Sequence, residues 1–293
     1  MDNYITTNKP LGQWVPNLKG FMVGNGVTNW QVDCTPAYFH MSYYHGLISD
    51  ELFNNVNSNC DLSYYDAPTP PVLSAQCQAW MTQFNNIVSL VNVYDVFGKC
   101  YQNPSAKRVI HGLQSEAPFA EFYEEGLTAA KYTPFLKSAK HQLKVVPPCV
   151  YAQPILDYFH NDTVKAALHV DPKAAMWDLC TTDFNYTGSQ NATQWIYPLL
   201  KGKYKILKYS GDADGAVPTY GTQAWINQLN WDIKEPWRPY YITNMYGQQV
   251  AGYVEVRDGL TFVTVHGAGH MAPQFKRQPT YHAIFNWIND LPL

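Results

Sequence analysis

Charge is scarce in this sequence, and charge of one sign is never concentrated. Asp, Glu, Lys and Arg make up 15% of the 293 residues and nearly cancel, leaving a net charge of −3. Nothing in that balance favours nucleic acid or an anionic membrane surface as a partner. No apolar run approaches the roughly 18–20 residues of a membrane span. None of the six cysteines forms a Cys-x-x-Cys pair, which speaks against a zinc site and leaves no metal implied. Gly24-Asn25-Gly26 lacks the third glycine of a dinucleotide fingerprint, so no cofactor is implied there either. No serine stands in a Gly-x-Ser-x-Gly setting. What is abundant is core material: 46% hydrophobic and 15% aromatic residues exclude a disordered chain. They suit one large α/β domain, or one domain with an insertion.

The cysteines (Cys34, Cys60, Cys77, Cys100, Cys149, Cys180) are spread along the chain. Three glycosylation sequons accompany them, at Asn161, Asn185 and Asn191. Together they favour a secretory history. Met1-Asp2-Asn3-Tyr4, however, has neither the basic start nor the apolar core of an export leader. The expectation that reconciles the two is a chain truncated at its N-terminus.

Hydrophobic periodicity divides the chain unevenly. Residues 1–16 read as a helix tail and loop, and Leu18 to Gly24 as a buried strand. From Trp30 to about Leu143 the pattern is aromatic and irregular. Within it, one helix ends at Gly46, another is capped by Ser49, and Gln76 to Val91 is helix-like. Pro154 to Val170 has helical spacing. Tyr204 to Tyr209 reads as a strand, and Thr219 to Leu229 as a helix. Tyr240–Met245 and Val250–Val256 read as a hairpin. Leu260 to His266 is a further strand and Thr280 to Ile288 a closing helix. Strand–helix alternation predicts a mainly parallel sheet, whose ligand sites lie beyond the carboxyl ends of its strands.

Two segments lie at such ends. Gly211-Asp212-Ala213-Asp214-Gly215-Ala216-Val217-Pro218 offers acids, and His266-Gly267-Ala268-Gly269-His270-Met271 offers a histidine among small residues. Acid then histidine is the second half of a Ser…Asp…His order. A hydroxyl nucleophile needs such a base, held in one tautomer by a buried carboxylate. Gly211-x-x-Asp214 followed by Val217-Pro218 matches an α/β-hydrolase acid turn. Asp214 is therefore preferred over Asp212, which is left to bond loop amides, and His270 over His266. A lone histidine after a strand is more often a packed or surface residue, and a lone Gly-Asp turn is more often only a turn. The order and placement of the pair carry the functional reading.

The chain resembles the serine carboxypeptidases, lysosomal or vacuolar exopeptidases on the α/β-hydrolase fold. The resemblance runs through Leu18-Lys19-Gly20-Phe21-Met22-Val23-Gly24-Asn25-Gly26, Tyr43-Tyr44-His45-Gly46-Leu47-Ile48-Ser49, Val164-Lys165-Ala166-Ala167-Leu168-His169-Val170, Gly211-Asp212-Ala213-Asp214 and Gly267-Ala268-Gly269-His270-Met271. It implies an α/β-hydrolase fold truncated at the N-terminus: a single incomplete domain over 1–293, with a largely helical, disulfide-containing insertion, or cap, at 30–150. It implies His270 as base, Asp214 as orienting acid, and Met271 among the residues lining the pocket for the leaving residue. The substrates would be peptide or protein C-termini, and the compartment a lysosome, vacuole or the extracellular space. Family pattern also implies disulfides Cys60–Cys77 and Cys100–Cys149. A Cys34–Cys180 bridge and two free thiols both remain open.

The family's nucleophile sits in Gly-Glu-Ser-Tyr-Ala-Gly, a motif this chain does not contain. Its place is expected upstream of Met1, with Met1 to Thr7 the end of the helix that follows it. The expectation is then a serine-type carboxypeptidase sequence that is inactive as it stands. A non-catalytic homologue acting as a binding module, and a serine carboxypeptidase-like acyltransferase, are the alternatives.

Overall fold

The computed structural model describes residues 1–98, 153–177 and 187–293. The expectations placed on Cys100, Cys149, Cys180 and Asn185, and on the insertion beyond residue 98, lie outside the described residues. The architecture is α/β. A five-stranded sheet comprises β1 (Gly20–Gly24), β2 (Lys205–Gly211), β3 (Ile233–Asn244), β4 (Gly247–Arg257) and β5 (Leu260–Val265), in the order β1-β2-β5-β4-β3. β1, β2 and β5 are parallel, with Gly24 beside Tyr209 and Gly211 beside Val265. β4 runs antiparallel to β5, and β3 antiparallel to β4.

The sheet is therefore mixed rather than mainly parallel. The connections decide this. Met245-Tyr246 joins β3 to β4, and Asp258-Gly259 joins β4 to β5. Neither can span the crossover of a dozen or more residues that a parallel neighbour requires. Gly247 leaves the first turn at φ +88°, where a side chain would be strained, and Asn244 Oδ1 accepts from Tyr246 N at 2.8 Å. The hairpin is also longer than its alternating residues suggested. The first half of β3 is exposed and interrupted by register shifts, so it carries no period-two signal.

Helices cover both faces of the sheet. Successive strand residues point to opposite sides, so neighbours in β2 and β5 belong to different cores. Ile206 and Phe262 pack with Tyr197 from α7 (Ile196–Leu200) and with Trp225 and Ile226 from α8 (Thr219–Gln228). Leu207 and Val263 pack with Tyr240, Val254 and Ala283, the last from α10 (Arg277–Ile288). A short helix, α9 (Ala272–Phe275), precedes α10 directly.

A third core belongs to α2 (Thr35–Tyr44), α3 (Asp50–Asn59) and α4 (Ala75–Val88), around Phe39, Leu52, Val56, Met81 and Phe84. Ser49 and Ser74 cap α3 and α4, accepting from Leu52 N and Cys77 N at 3.3 and 3.2 Å. A Cys60–Cys77 disulfide joins the end of α3 to the first turn of α4. The helical run expected over Pro154–Val170 is two helices, α5 (Gln153–His160) and α6 (Asp162–Ala167). Asn161 separates them: its Oδ1 accepts from Thr163 N at 2.9 Å, an N-cap that restarts the helix. At the start of the chain, Asp2 in α1 (Asp2–Asn8) receives Lys203 Nζ and the Tyr204 hydroxyl at 3.1 and 3.0 Å, which ties that helix to the approach to β2.

Candidate active site

Because β1, β2 and β5 are parallel neighbours, their carboxyl ends open on one edge of the sheet. Asn25 follows β1, Asp212 and Asp214 follow β2, and His266 and His270 follow β5. The structure sorts the acids and histidines into two pairs. His270 Nδ1 lies 2.8 Å from Asp214 Oδ2, and His266 Nδ1 lies 2.7 Å from Asp212 Oδ2. The pairs differ in burial. Asp214 has no exposed side-chain surface and His270 is 30% exposed, whereas Asp212 and His266 are 31% and 63% exposed.

Asp214 is surrounded by donors. Oδ2 receives Asn25 Nδ2 at 2.7 Å and Val217 N at 3.2 Å besides the imidazole, and Oδ1 receives Ala216 N at 2.8 Å. The turn Asp214–Val217 folds so that its own amides face the carboxylate, an Asx geometry fixed by local sequence. A buried carboxylate satisfied in this way acts as an acceptor and holds the proton of His270 on Nδ1. Nε2 is then the basic nitrogen, the arrangement required for accepting a proton from a hydroxyl. Asp212 instead accepts Gly267 N at 2.6 Å, closing the loop after β5 against the loop after β2.

A third segment, residues 92–98, braces both loops, and nothing in its sequence announced that role. Tyr94 O accepts from His270 N at 2.7 Å, and the Tyr94 ring stands 5.4 Å from the imidazole. Val93 O accepts from Gly215 N at 2.8 Å, and Val96 N donates to Ala213 O at 3.0 Å. The approach requires glycine at 269: a Cβ there would collide with Tyr94 O and stand 2.8 Å from Asp95 Cβ. Burial pushes the Asp95 carboxyl up, against the pull of the Phe97 and Gly98 amides and of Lys276.

Asn25 is the other residue missed by sequence reasoning, hidden in what reads as a mere turn. It is buried, bonds Asp214 through Nδ2, and accepts Gly211 N at 3.1 Å through Oδ1. Of the remaining site candidates, Met271 is exposed next to His270 at the start of α9. Asn161 and Asn191 are exposed. Cys34 carries a free, partly buried thiol. Among the described residues, no three His, Cys, Asp or Glu side chains gather as metal ligands.

An acid and a histidine in chain order lie paired beyond the ends of parallel strands, and sequence comparison decides the family. Residues 3–290 match the profile of the serine carboxypeptidases. The chain belongs to that family. Serine carboxypeptidase 1 of Hordeum vulgare is 30% identical over 293 aligned positions, which cover 93% of this chain and 56% of the barley protein. The lysosomal protective protein of Mus musculus is 27% identical over 94% of this chain and 59% of its own length. Among solved structures, a prohormone-processing carboxypeptidase from Saccharomyces cerevisiae superposes with a TM-score of 0.60 at 18% identity, over 99% of this chain and 59% of that one. That likeness is one of fold. The chain thus spans little more than half the length of the curated relatives it matches.

Proposed function

We propose that this chain carries the acid–base half of a serine-type carboxypeptidase, with His270 as general base and Asp214 as the carboxylate that orients it. The observation that carries the reading is the 2.8 Å contact of His270 Nδ1 with a fully buried Asp214, in a chain of this family. In that chemistry, Nε2 of His270 takes the proton of a serine hydroxyl as the oxygen attacks the last peptide carbonyl. It returns the proton to the departing amino group, so the C-terminal residue leaves and an acyl-enzyme remains. Water, deprotonated by the same nitrogen, completes hydrolysis. The nucleophile and the oxyanion-hole amides are proposed to lie outside these 293 residues, on an N-terminal portion of an α/β-hydrolase domain. Met271 is proposed to line the pocket of the leaving residue, and residues 30–150 to form a helical cap.

A lysosomal, vacuolar or extracellular setting fits the reading. The Cys60–Cys77 disulfide suits an oxidising compartment, and the sequons at Asn161 and Asn191 are exposed. Among the described residues, no helix is long and apolar enough to cross a membrane.

The test has two arms. The 293-residue chain should take no label from a fluorophosphonate probe; stoichiometric labelling of one of its serines would remove the proposed absence of a nucleophile. The protein as its cells produce it, isolated through an epitope in this chain, should release single amino acids from the C-termini of blocked dipeptides. His270→Ala and Asp214→Asn should each lower turnover by about 10³–10⁴-fold. Turnover that survives His270→Ala, or no release from any peptide offered, sinks the reading.

A further inference from the structure

We infer that Asn25 is a positioning residue for the His270–Asp214 pair, and that Lys208 and Asp33, both buried, fasten it in place. The inference rests on the carboxypeptidase reading for its functional meaning, but its geometry is independent of any substrate.

An aspartate side chain ends in a soft torsion about an sp³–sp² bond, with no deep rotamer wells. Its direction is set by whatever donors reach it. The amides of Ala216 and Val217 come from Asp214's own turn and move with it. Asn25 comes from the end of a different strand, so, the imidazole itself aside, its bond is the one among the described residues that ties the carboxylate to a neighbouring strand of the sheet. The donor at 2.7 Å meets the same Oδ2 that faces the imidazole, and so fixes the oxygen on which the tautomer of His270 depends. An amide suits this place because it is neutral and both donates and accepts. Its oxygen is occupied by Gly211 N at 3.1 Å, which decides which way the amide faces and turns its NH₂ toward Asp214. Asn25 N also donates to Tyr209 O at 3.0 Å. Its backbone stands at φ +42°, a left-handed conformation that asparagine tolerates better than most residues.

The loop beyond Asn25 is held by groups that are costly to bury. Lys208, on β2 and fully buried, donates Nζ to Gly26 O at 2.5 Å and to Thr28 Oγ1 at 3.4 Å, with the Trp225 ring 5.8 Å away. Asp33 Oδ2 accepts Thr28 N at 2.7 Å and Asn29 N at 2.9 Å. Asp33 Oδ1 is buried with no hydrogen-bond partner among the described residues. A turn whose only task was to leave a strand could be fastened by apolar packing at lower cost. These two charges instead fix Gly26, Thr28 and Asn29, the residues that follow Asn25.

The experiment is ¹⁵N-histidine NMR of the 293-residue chain without substrate, with His270 identified by its loss in His270→Gln. The wild type should show His270 as one tautomer, with its proton on Nδ1 and slow to exchange. In Asn25→Ala that proton should exchange about tenfold faster or more, as expected for loss of one hydrogen bond to a charged group, and both tautomers should be populated. His266, bonded to Asp212 on the same loops, should be unchanged, which separates a positioning role from general loosening. Asn25→Asp keeps the size of the side chain if Asn25→Ala does not fold. It should preserve the His270 signature at low pH and lose it once the added carboxyl ionises beside Asp214. A wild-type signature in Asn25→Ala, a pH-independent one in Asn25→Asp, or equal loss at His266 and His270 overturns the inference. None of these results touches the carboxypeptidase reading, and a protein that hydrolyses no peptide leaves the tautomer result standing.

Discussion

Asp212 and Asp214 stand two positions apart in one loop, yet solvent treats them differently. The His266–Asp212 pair is open to water, where an ion pair contributes about 1 kcal/mol or less. Asp214 is closed off and satisfies four donors at once. Asp214→Asn turns one acceptor oxygen into an NH₂ among groups that themselves donate. It should destabilise the chain by about 3 kcal/mol, and Asp212→Asn by about 1 kcal/mol. Urea unfolding of the two variants checks this directly; equal losses would show that burial does not separate the pairs. Burial also governs Lys208, whose ammonium it pushes down to about 8 against the pull of Asp33 and Asp214. Below about pH 8 the folded and unfolded chains both hold this proton, and the folded state bears the whole cost of a buried cation. Between about 8 and the ordinary value of 10.5 the folded chain releases the proton first. The wild type should therefore gain stability relative to Lys208→Met across that window, by about 3 kcal/mol at most, and gain nothing further above it. Denaturation curves of both proteins at pH 7, 9 and 10.5 read the difference, and a constant difference would contradict it. At this scale the pairing of His270 with Asp214 is legible from sequence, because small neighbours and a Gly-x-x-Asp turn mark them. Asn25 is not, because its role depends on a residue on another strand, and short-range pattern carries no information about that.

Among the secondary-structure elements, legibility follows burial. β2, β5, α8 and α10 bury one face or both, so their residues repeat with the period of the element. The outer half of β3, at Ile233–Trp237, has no buried residue, and the bracing segment at 92–98 is joined to the two loops through backbone bonds, which leave no mark on its side chains. The helical unit of α2, α3 and α4 has its own core and its own covalent tie. The disulfide joins residues 17 apart, and closing a loop of that size restricts the unfolded chain by about 3 kcal/mol on a chain-entropy account. Replacing both Cys60 and Cys77 by serine should cost about that much. The loss should fall on the α3–α4 unit and leave the sheet protected, as amide exchange resolved by element can establish. Uniform loss of protection across β2 and β5 would mean that the helical unit and the sheet unfold as one.

For the molecule as a whole, the decisive feature is an open side of the sheet. β1 and β3 are its two edges, with no further strand beside either among the described residues, but β3 is interrupted by Pro236 and Pro239 and carries Lys234, Glu235 and Arg238. On β1 and in the segment that precedes it in the chain, Met22 is 38% exposed and Trp14 78%, with Leu11 and Leu18 also in solvent. An edge strand with unpaired backbone groups and exposed apolar side chains is a template for another strand, unless a charge or a proline blunts it. β1, Gly20-Phe21-Met22-Val23-Gly24, contains neither. Expressed by itself, the chain should therefore associate through this edge, its mass by light scattering rising with concentration. Met22→Lys places a charge at the exposed residue of β1, a strand expected to be buried in which no residue is fully buried. It should lower the association by about tenfold while leaving the circular dichroism unchanged. A wild-type chain that stays monomeric at every concentration would show that the edge is covered by other means. Association unaffected by Met22→Lys would place the contact elsewhere, and the exposed apolar face of α10 at Tyr281, Phe285 and Ile288 would be the surface to alter next.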